Sequence, residues 1–541
     1  MSQNRLSLLQ TGDGYQVIFQ NRALYSPRSP AASADLRAHA ASLEPGSLVL
    51  LPSPLLGYGI KALIERLPKN SHVLMVELEP ALALLSKRHI PSEIRGDEDV
   101  SFVGGEEELH EWMDTHNLGF YRRCTLITLT GGFSLHARRY REIVTAFDRD
   151  IRLFWQNKMT LIHMGRLYLR NLISNLSLVP EARDIGELSV CGPIVVAGAG
   201  ASLEEAIPLI KARRSQLFVL AVDTAWPVLE LRGVSPDAVV VLEPQSGNVS
   251  DLVGVHVERP ILLCDVSAHP GHTSHTPASK IYFFSSQFAD LRWLNLLRQR
   301  GVLPSDIPPL GSVGVAAAYI ARRITAGPVI LAGLDFSYVP GKTHATGAPA
   351  HTFQLSSMDR FHPEALWELS MTRKRMRRSG KNGKTVETDI VLATYAEQLE
   401  SFVNKRGMWY DLSQSGLPTG AQLVGDLPRL DQVLAAGSSV ATRHDGYPRF
   451  SPRRHPDVTV IRDVVKFEIA RLGRIEPLFR KRNTSAGEQD LLSLLRETDY
   501  LYVDFPDAPP LPNNSQSFLA RALVAASHYQ RRFRRSLALI A

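Results

Sequence analysis

At 541 residues the chain is long enough for about two to four domains, and its 44% hydrophobic and 21% charged residues are those of an ordinary globular protein. A net charge of +7 is mild for this length and argues against a nucleic-acid partner, since the basic residues cluster without interleaved aromatics. Three scattered cysteines exclude a disulfide framework and give no zinc spacing, and no apolar run reaches the roughly 20 residues of a membrane span.

Residues 1 to about 40 read as a small β-rich start, with Tyr15–Phe19 as a strand. Strand Ser47–Leu51, a turn with Gly57 and Gly59, helix Ile60–Arg66 and strand His72–Val76, ending at Glu77 and Glu79, then outline a nucleotide-binding βαβ unit. Pro52 and Pro54 occupy its turn, so the unit reads as Rossmann-like structure rather than a working cofactor site. Helices Glu106–Met113 and Tyr140–Phe147 and strand Cys124–Thr128 complete an α/β domain over residues 1–150. Residues 151–189 follow as a helical connector.

Residues 190–425 form the central domain. Strand Ile194–Ala197 breaks into Gly198-Ala-Gly-Ala-Ser202 and resumes as a helix, which brings backbone N–H groups together as a cradle for phosphate; close packing explains the same glycines. Strands Leu217–Ala221, Ala238–Leu242, Pro260–Cys264, Lys280–Phe284 and Pro328–Ala332 are apolar without alternation, as in a doubly wound parallel sheet. Each ends in polar residues. Strand tips of such a sheet line the ligand crevice, so Gly198, Gly200, Ser202, Asp223, Thr224, Glu243, Gln245 and Asp265 should converge. Gly311-Ser312 starts a small-residue helix, a second candidate anion cradle. Asp335 sits at a strand tip, and Tyr338, Lys342 and His344 follow it on a loop. The basic run Arg373–Lys384 reads as a mobile lid or an acceptor-docking loop, or else as a disordered surface insertion. Helix Tyr395–Val403 and strand Met408–Leu412 close the domain.

Residues 426–541 are helical, with segments at Val464–Leu472, Gln489–Leu495 and Phe518–Leu539, and carry no catalytic constellation. They either dock a protein or oligomerise, or pack on the core; the basic Arg531–Arg535 in them is solvated surface or holds an acidic ligand.

In this order, Gly198-Ala-Gly-Ala-Ser-Leu203, Ala221-Val-Asp-Thr-Ala225, Gly233–Val240, Ala332–Tyr338 and Gly341-Lys-Thr-His344 resemble the central domain of the motility-accessory-factor family, bacterial flagellin glycosyltransferases. That domain is shared with 6-hydroxymethylpterin diphosphokinases and is similar to that of CMP-sialic acid-dependent sialyltransferases. The resemblance implies an α/β protein: a Rossmann-like doubly wound central domain, a smaller α/β domain before it and a helical domain after it. It implies Gly198, Gly200, Ser202 and Ser312 for phosphate or ribose, Thr224 and Gln245 nearer the base, and a catalytic histidine among His344, His351 and His362, with His344 first. Ala199 stands where the sialyltransferases carry asparagine, and Ser337 where they carry tyrosine. The activity implied is transfer of a nonulosonic sugar from its CMP form to Ser or Thr of flagellin, in the cytoplasm, without cofactor or metal and with a homo-oligomer allowed. In that reaction the two helix starts, with Tyr338 or Lys342, face the leaving phosphate, and the basic run faces the donor carboxylate. A pterin diphosphokinase, resting on Asp223 and Glu243 for Mg²⁺, and a non-catalytic flagellin scaffold are the alternatives.

Overall fold

A computed structural model of the chain describes residues 6–116, 118–252, 254–255, 260–339, 342–356, 358–361, 374–403, 408–438, 449–450, 456–506 and 512–540. It divides into two compact units, residues 1–160 and 161–541.

In the first unit, β1 (Leu6–Gln10), β2 (Tyr15–Phe19) and β3 (Arg22–Ala23) form an antiparallel sheet. Helix Pro30–Ala40 follows, so the start is only partly β: Pro30 takes a first-turn position, where its missing N–H is not needed. The strands β4 (Ser47–Pro52), β5 (His72–Val76), β6 (Val100–Val103) and β7 (Arg123–Leu126) pair in parallel in the order β6-β5-β4-β7. At the tip of β4, Ser53 Oγ donates to Glu77 Oε2 at 2.6 Å, with both residues buried. The acid that would face a ribose in a dinucleotide fold is thus bonded within the fold.

The helices expected at Tyr140–Phe147 and beyond Asp150 are one helix, Ala137–Asn175. Its sequence holds no proline and a single glycine, Gly165, so nothing interrupts the backbone ladder.

The second unit is built on one parallel sheet: β8 (Arg183–Asp184), β9 (Ile194–Ala197), β10 (Phe218–Val222), β11 (Ala238–Val241), β12 (Ile261–Asp265), β13 (Ile281–Ser286), β14 (Asp306–Ile307), β15 (Val329–Ala332), β18 (Trp409–Asp411) and β19 (Gln422–Leu423). The order is β14-β13-β12-β11-β10-β9-β15-β18-β19, with β8 beside β13. After the short β8, the chain enters the middle of the sheet at β9, winds to one side as far as β14, and returns to the other side with β15. Ile194–Ala197 pair directly with Val329–Ala332, and this reversal is the topological switch point, where an open sheet binds ligands. Helices Leu203–Ala212 and Val313–Ile324 start at this edge. The apolar strands are buried on both faces, which is why they do not alternate.

Among the described residues the basic run is an ordered hairpin rather than a disordered insertion: β16 (Arg375–Ser379) pairs antiparallel with β17 (Thr385–Asp389), and Arg373 lies outside the described residues. Gly383, at φ +71°, closes its turn, and Arg375 meets Glu387 across the strands at 2.9 Å. The C-terminal helices Val458–Gly473, Ser485–Glu497 and Gln516–Leu539 share a core with the sheet domain: Trp293, on helix Arg292–Gln299, packs edge-on against Phe533 with ring centroids 5.2 Å apart. No described helix is long and apolar enough to cross a membrane.

Candidate functional site

The switch point is knitted together before any ligand enters. Gly198 N–H donates to Ala332 O at 2.8 Å, and Gly200 N–H to Gly333 O at 2.9 Å. Leu334 fills the space between the two glycine-rich loops. A Cβ on Gly198 or on Gly314 would lie 2.5 Å from Leu334 Cδ2, and one on Gly200 would lie 2.6 Å from Asp335 Oδ2. Packing is therefore sufficient reason for these glycines.

Asp335 is buried at the start of helix Leu203–Ala212. Its Oδ2 accepts from Ser202 N–H at 2.9 Å, and its Oδ1 accepts from the Ser202 hydroxyl. A carboxylate of the chain itself thus takes the place where the first loop would hold a phosphate. Burial raises the Asp335 pKa; the bonds from Ser202 and the charge of Lys381 oppose the rise, and Asp411 adds to it.

Lys381 comes from the turn of the β16–β17 hairpin. Its Nζ lies 2.7 Å from Asp411 Oδ2, with the two side chains 2% and 0% exposed. Asp411, at the tip of β18, also accepts from Ser413 N–H at 2.9 Å and from Thr419 Oγ1 at 3.1 Å. Ser413 Oγ in turn accepts from Gly333 N–H at 2.9 Å. The hairpin is thereby locked onto the sheet edge through a buried ion pair. Sequence reasoning missed this role, because Lys381 sits in a basic run that reads as surface.

The second helix start differs from the first. Ser312 is the N-cap of Val313–Ile324, has extended backbone, and makes no side-chain capping bond; Gly311 beside it is exposed. A Cβ on Gly311 would meet the Tyr395 ring at 2.4 Å. Tyr168, from the long helix, stacks on Phe288 with centroids 4.8 Å apart. Burial, with Glu243, Asp265 and Tyr395 nearby, pushes the Tyr168 phenol up to about 12. Aromatic faces and an open helix N-terminus therefore line this part of the edge, and neither tyrosine stands out in the sequence as a site residue.

The remaining expected residues are spread along the edge. Asp223 is buried, with Oδ1 accepting from Thr224 N–H at 2.8 Å. Gln245 is exposed and lies 3.5 Å from Met164 Sδ. Tyr338 donates its hydroxyl to Asp389 at 2.6 Å, and Lys342 meets Glu204 at 2.7 Å. His344 is half-buried, with Nδ1 3.1 Å from Thr343 Oγ1; burial and then the neighbouring His351 lower its pKa, which keeps the imidazole neutral at pH 7. His362 and Gly341 lie outside the described residues.

Residues 168–341 match the family model "6-hydroxymethylpterin diphosphokinase MptE-like". The whole chain shares its fold with the MAf glycosyltransferase of Magnetospirillum magneticum AMB-1, at a TM-score of 0.56 and 15% identity, over 99% of this chain and 89% of that one. The family-model match lies within the second unit, and the structural match is a likeness of fold. In sequence, the chain is 28% identical to an uncharacterized protein of Treponema pallidum (strain Nichols), over 95% of this chain and 92% of that protein. A second protein of the same strain is 33% identical over 88 residues, 16% of this chain and 40% of its own length.

Proposed function

We propose that the chain is a glycosyltransferase that moves a nonulosonic, sialic acid-like sugar from a CMP donor to a serine or threonine hydroxyl of flagellin or a similar protein. The observation that carries this reading is the contrast between the two helix starts at the switch point. The first is capped from within by Asp335, whereas the Ser312 start is open and flanked by Tyr395. The donor phosphate binds at Ser312, and the base lies among Tyr395, Tyr168 and Phe288.

In the transfer, the acceptor oxygen forms a bond to the anomeric carbon while the bond from that carbon to the phosphate oxygen breaks. CMP leaves with the electron pair, and the helix dipole at Ser312 stabilises its charge. The hydroxyl proton passes to His344, whose neutral imidazole is able to accept it. Lys342 and Tyr338, held by Glu204 and Asp389, position the loop that bears His344.

The pterin diphosphokinase reading comes second and rests on the name of the matching family model. It requires a Mg²⁺ site, for which Asp223 and Glu243 would supply the carboxylates beside the substrate phosphates.

Thermal unfolding separates the readings. CMP should raise the melting temperature, and ATP with Mg²⁺ should not. The reverse result supports the kinase; no shift with either supports a scaffold. His344→Gln should keep the CMP shift and lose transfer.

A further inference from the structure

A second polar site lies outside the switch point, where helix Ala137–Asn175 meets the loops after β11 and β12 and the C-terminal helix. It is a cavity of about 310 Å³ whose walls include Arg170, Ser174, Ser246, His269 and Arg532. Every side chain in this set carries a hydrogen-bond donor, and none is a carboxylate.

Two of the donors are held in place by the fold. Asn171 is 1% exposed, and its amide N–H groups bond to Pro244 O at 2.8 Å and Ser267 O at 3.2 Å. Its oxygen is therefore turned to Arg170, whose Nε and one terminal nitrogen both lie 3.3 Å away. His269 accepts the Gly271 N–H on Nδ1 at 3.1 Å, so its neutral ring carries the proton on Nε2. Burial and Arg170 lower its pKa, which keeps it neutral.

The cations here are uncompensated. Arg166, one turn away, is paired with Asp504 at 2.9 Å. Among the described residues no carboxylate pairs with Arg170 or Arg532. Burial, then Arg170 and Arg535, lower the pKa of Arg532. A bound anion would compensate both guanidinium charges.

We propose that this cavity binds the phosphate group of a small phosphorylated ligand, gripped by the guanidinium groups of Arg170 and Arg532 and by His269 Nε2–H. Two cations and a neutral donor suit a dianion, and arginine forks match phosphate oxygens. The cavity exceeds a bare phosphate and has room for an attached group of sugar size. This inference is independent of the transferase reading, because none of its residues serves the Ser312 start.

The test is calorimetric titration of the full chain with inorganic phosphate at constant ionic strength, with melting temperatures measured alongside. Wild type should bind, and Arg170→Gln and Arg532→Gln should each weaken binding about tenfold or more. Without phosphate, Arg532→Gln should melt at or above the wild-type temperature, since it removes a repulsive charge; a structural role would lower it. No binding by wild type, or equal binding by the arginine variants, would overturn the proposal.

Discussion

Lys381 Nζ and Asp411 Oδ2 are 2.7 Å apart at the edge of the sheet, with both side chains withdrawn from solvent. Removing one partner of such a pair strands the other charge, at about 3–5 kcal/mol, whereas removing both together is far milder. Lys381→Met should therefore destabilise the protein by about that amount, and Lys381→Met with Asp411→Asn by much less. Urea unfolding of the two variants checks this ordering. Equal costs would mean that the pair is not coupled.

Leu334 couples the two glycine loops. Gly314→Ala meets only the flexible end of Leu334 within 3 Å, whereas Gly198→Ala also meets the Gly333 carbonyl oxygen at 2.6 Å. Each single variant should lose about 1–3 kcal/mol by overpacking. Combining each with Leu334→Ala should relieve most of the strain at Gly314 and little of it at Gly198. A double-mutant cycle by chemical unfolding reads the coupling.

The two serines at the helix starts should respond in opposite ways. Ser202→Ala removes a bond to the buried Asp335 and should cost about 1–3 kcal/mol of stability. Ser312→Ala loses no capping bond and should leave stability within about 0.5 kcal/mol, while weakening CMP binding. Thermal unfolding with and without CMP measures both effects.

The sheet domain was legible because its strands are short apolar runs that end in polar tips, and that pattern has few readings. The convergence of Gly198, Ser202 and Asp335 was legible for the same reason. What they do there was not: only the fold shows that Asp335 faces Ser202, which turns an apparent phosphate cradle into an internal cap. The hairpin at Arg375–Asp389 was hidden by its charge, since alternating arginines look like a solvated run until Glu387 is placed opposite them. Helix Ala137–Asn175 was divided in the sequence reading although no proline or cap marks an end within it. The roles of Tyr168 and Tyr395 depend on contacts between segments more than 80 residues apart, which no local pattern encodes.

His272 is buried with neither ring nitrogen hydrogen-bonded, and burial, then His269, lower its pKa to about 4. A histidine depressed in the folded state binds fewer protons than in the unfolded chain between its two pKa values. Stability should thus be complete above about pH 6.5 and fall as the pH drops towards 4, with His272 contributing about 2 kcal/mol of loss at pH 5. His272→Leu should flatten that part of the profile. Urea unfolding at pH 5 and pH 7.5 measures it, and an unchanged difference between the two pH values would exclude His272 as a source.

The central claim is sugar transfer from a CMP donor, and intact-mass spectrometry of flagellin tests it most directly. Purified protein, CMP-activated nonulosonic acid and unmodified flagellin should yield flagellin heavier by whole sugar residues, with CMP released in equal amount. His344→Gln should abolish the increase. Flagellin of unchanged mass after incubation with protein shown to bind CMP would contradict the transferase account for that acceptor.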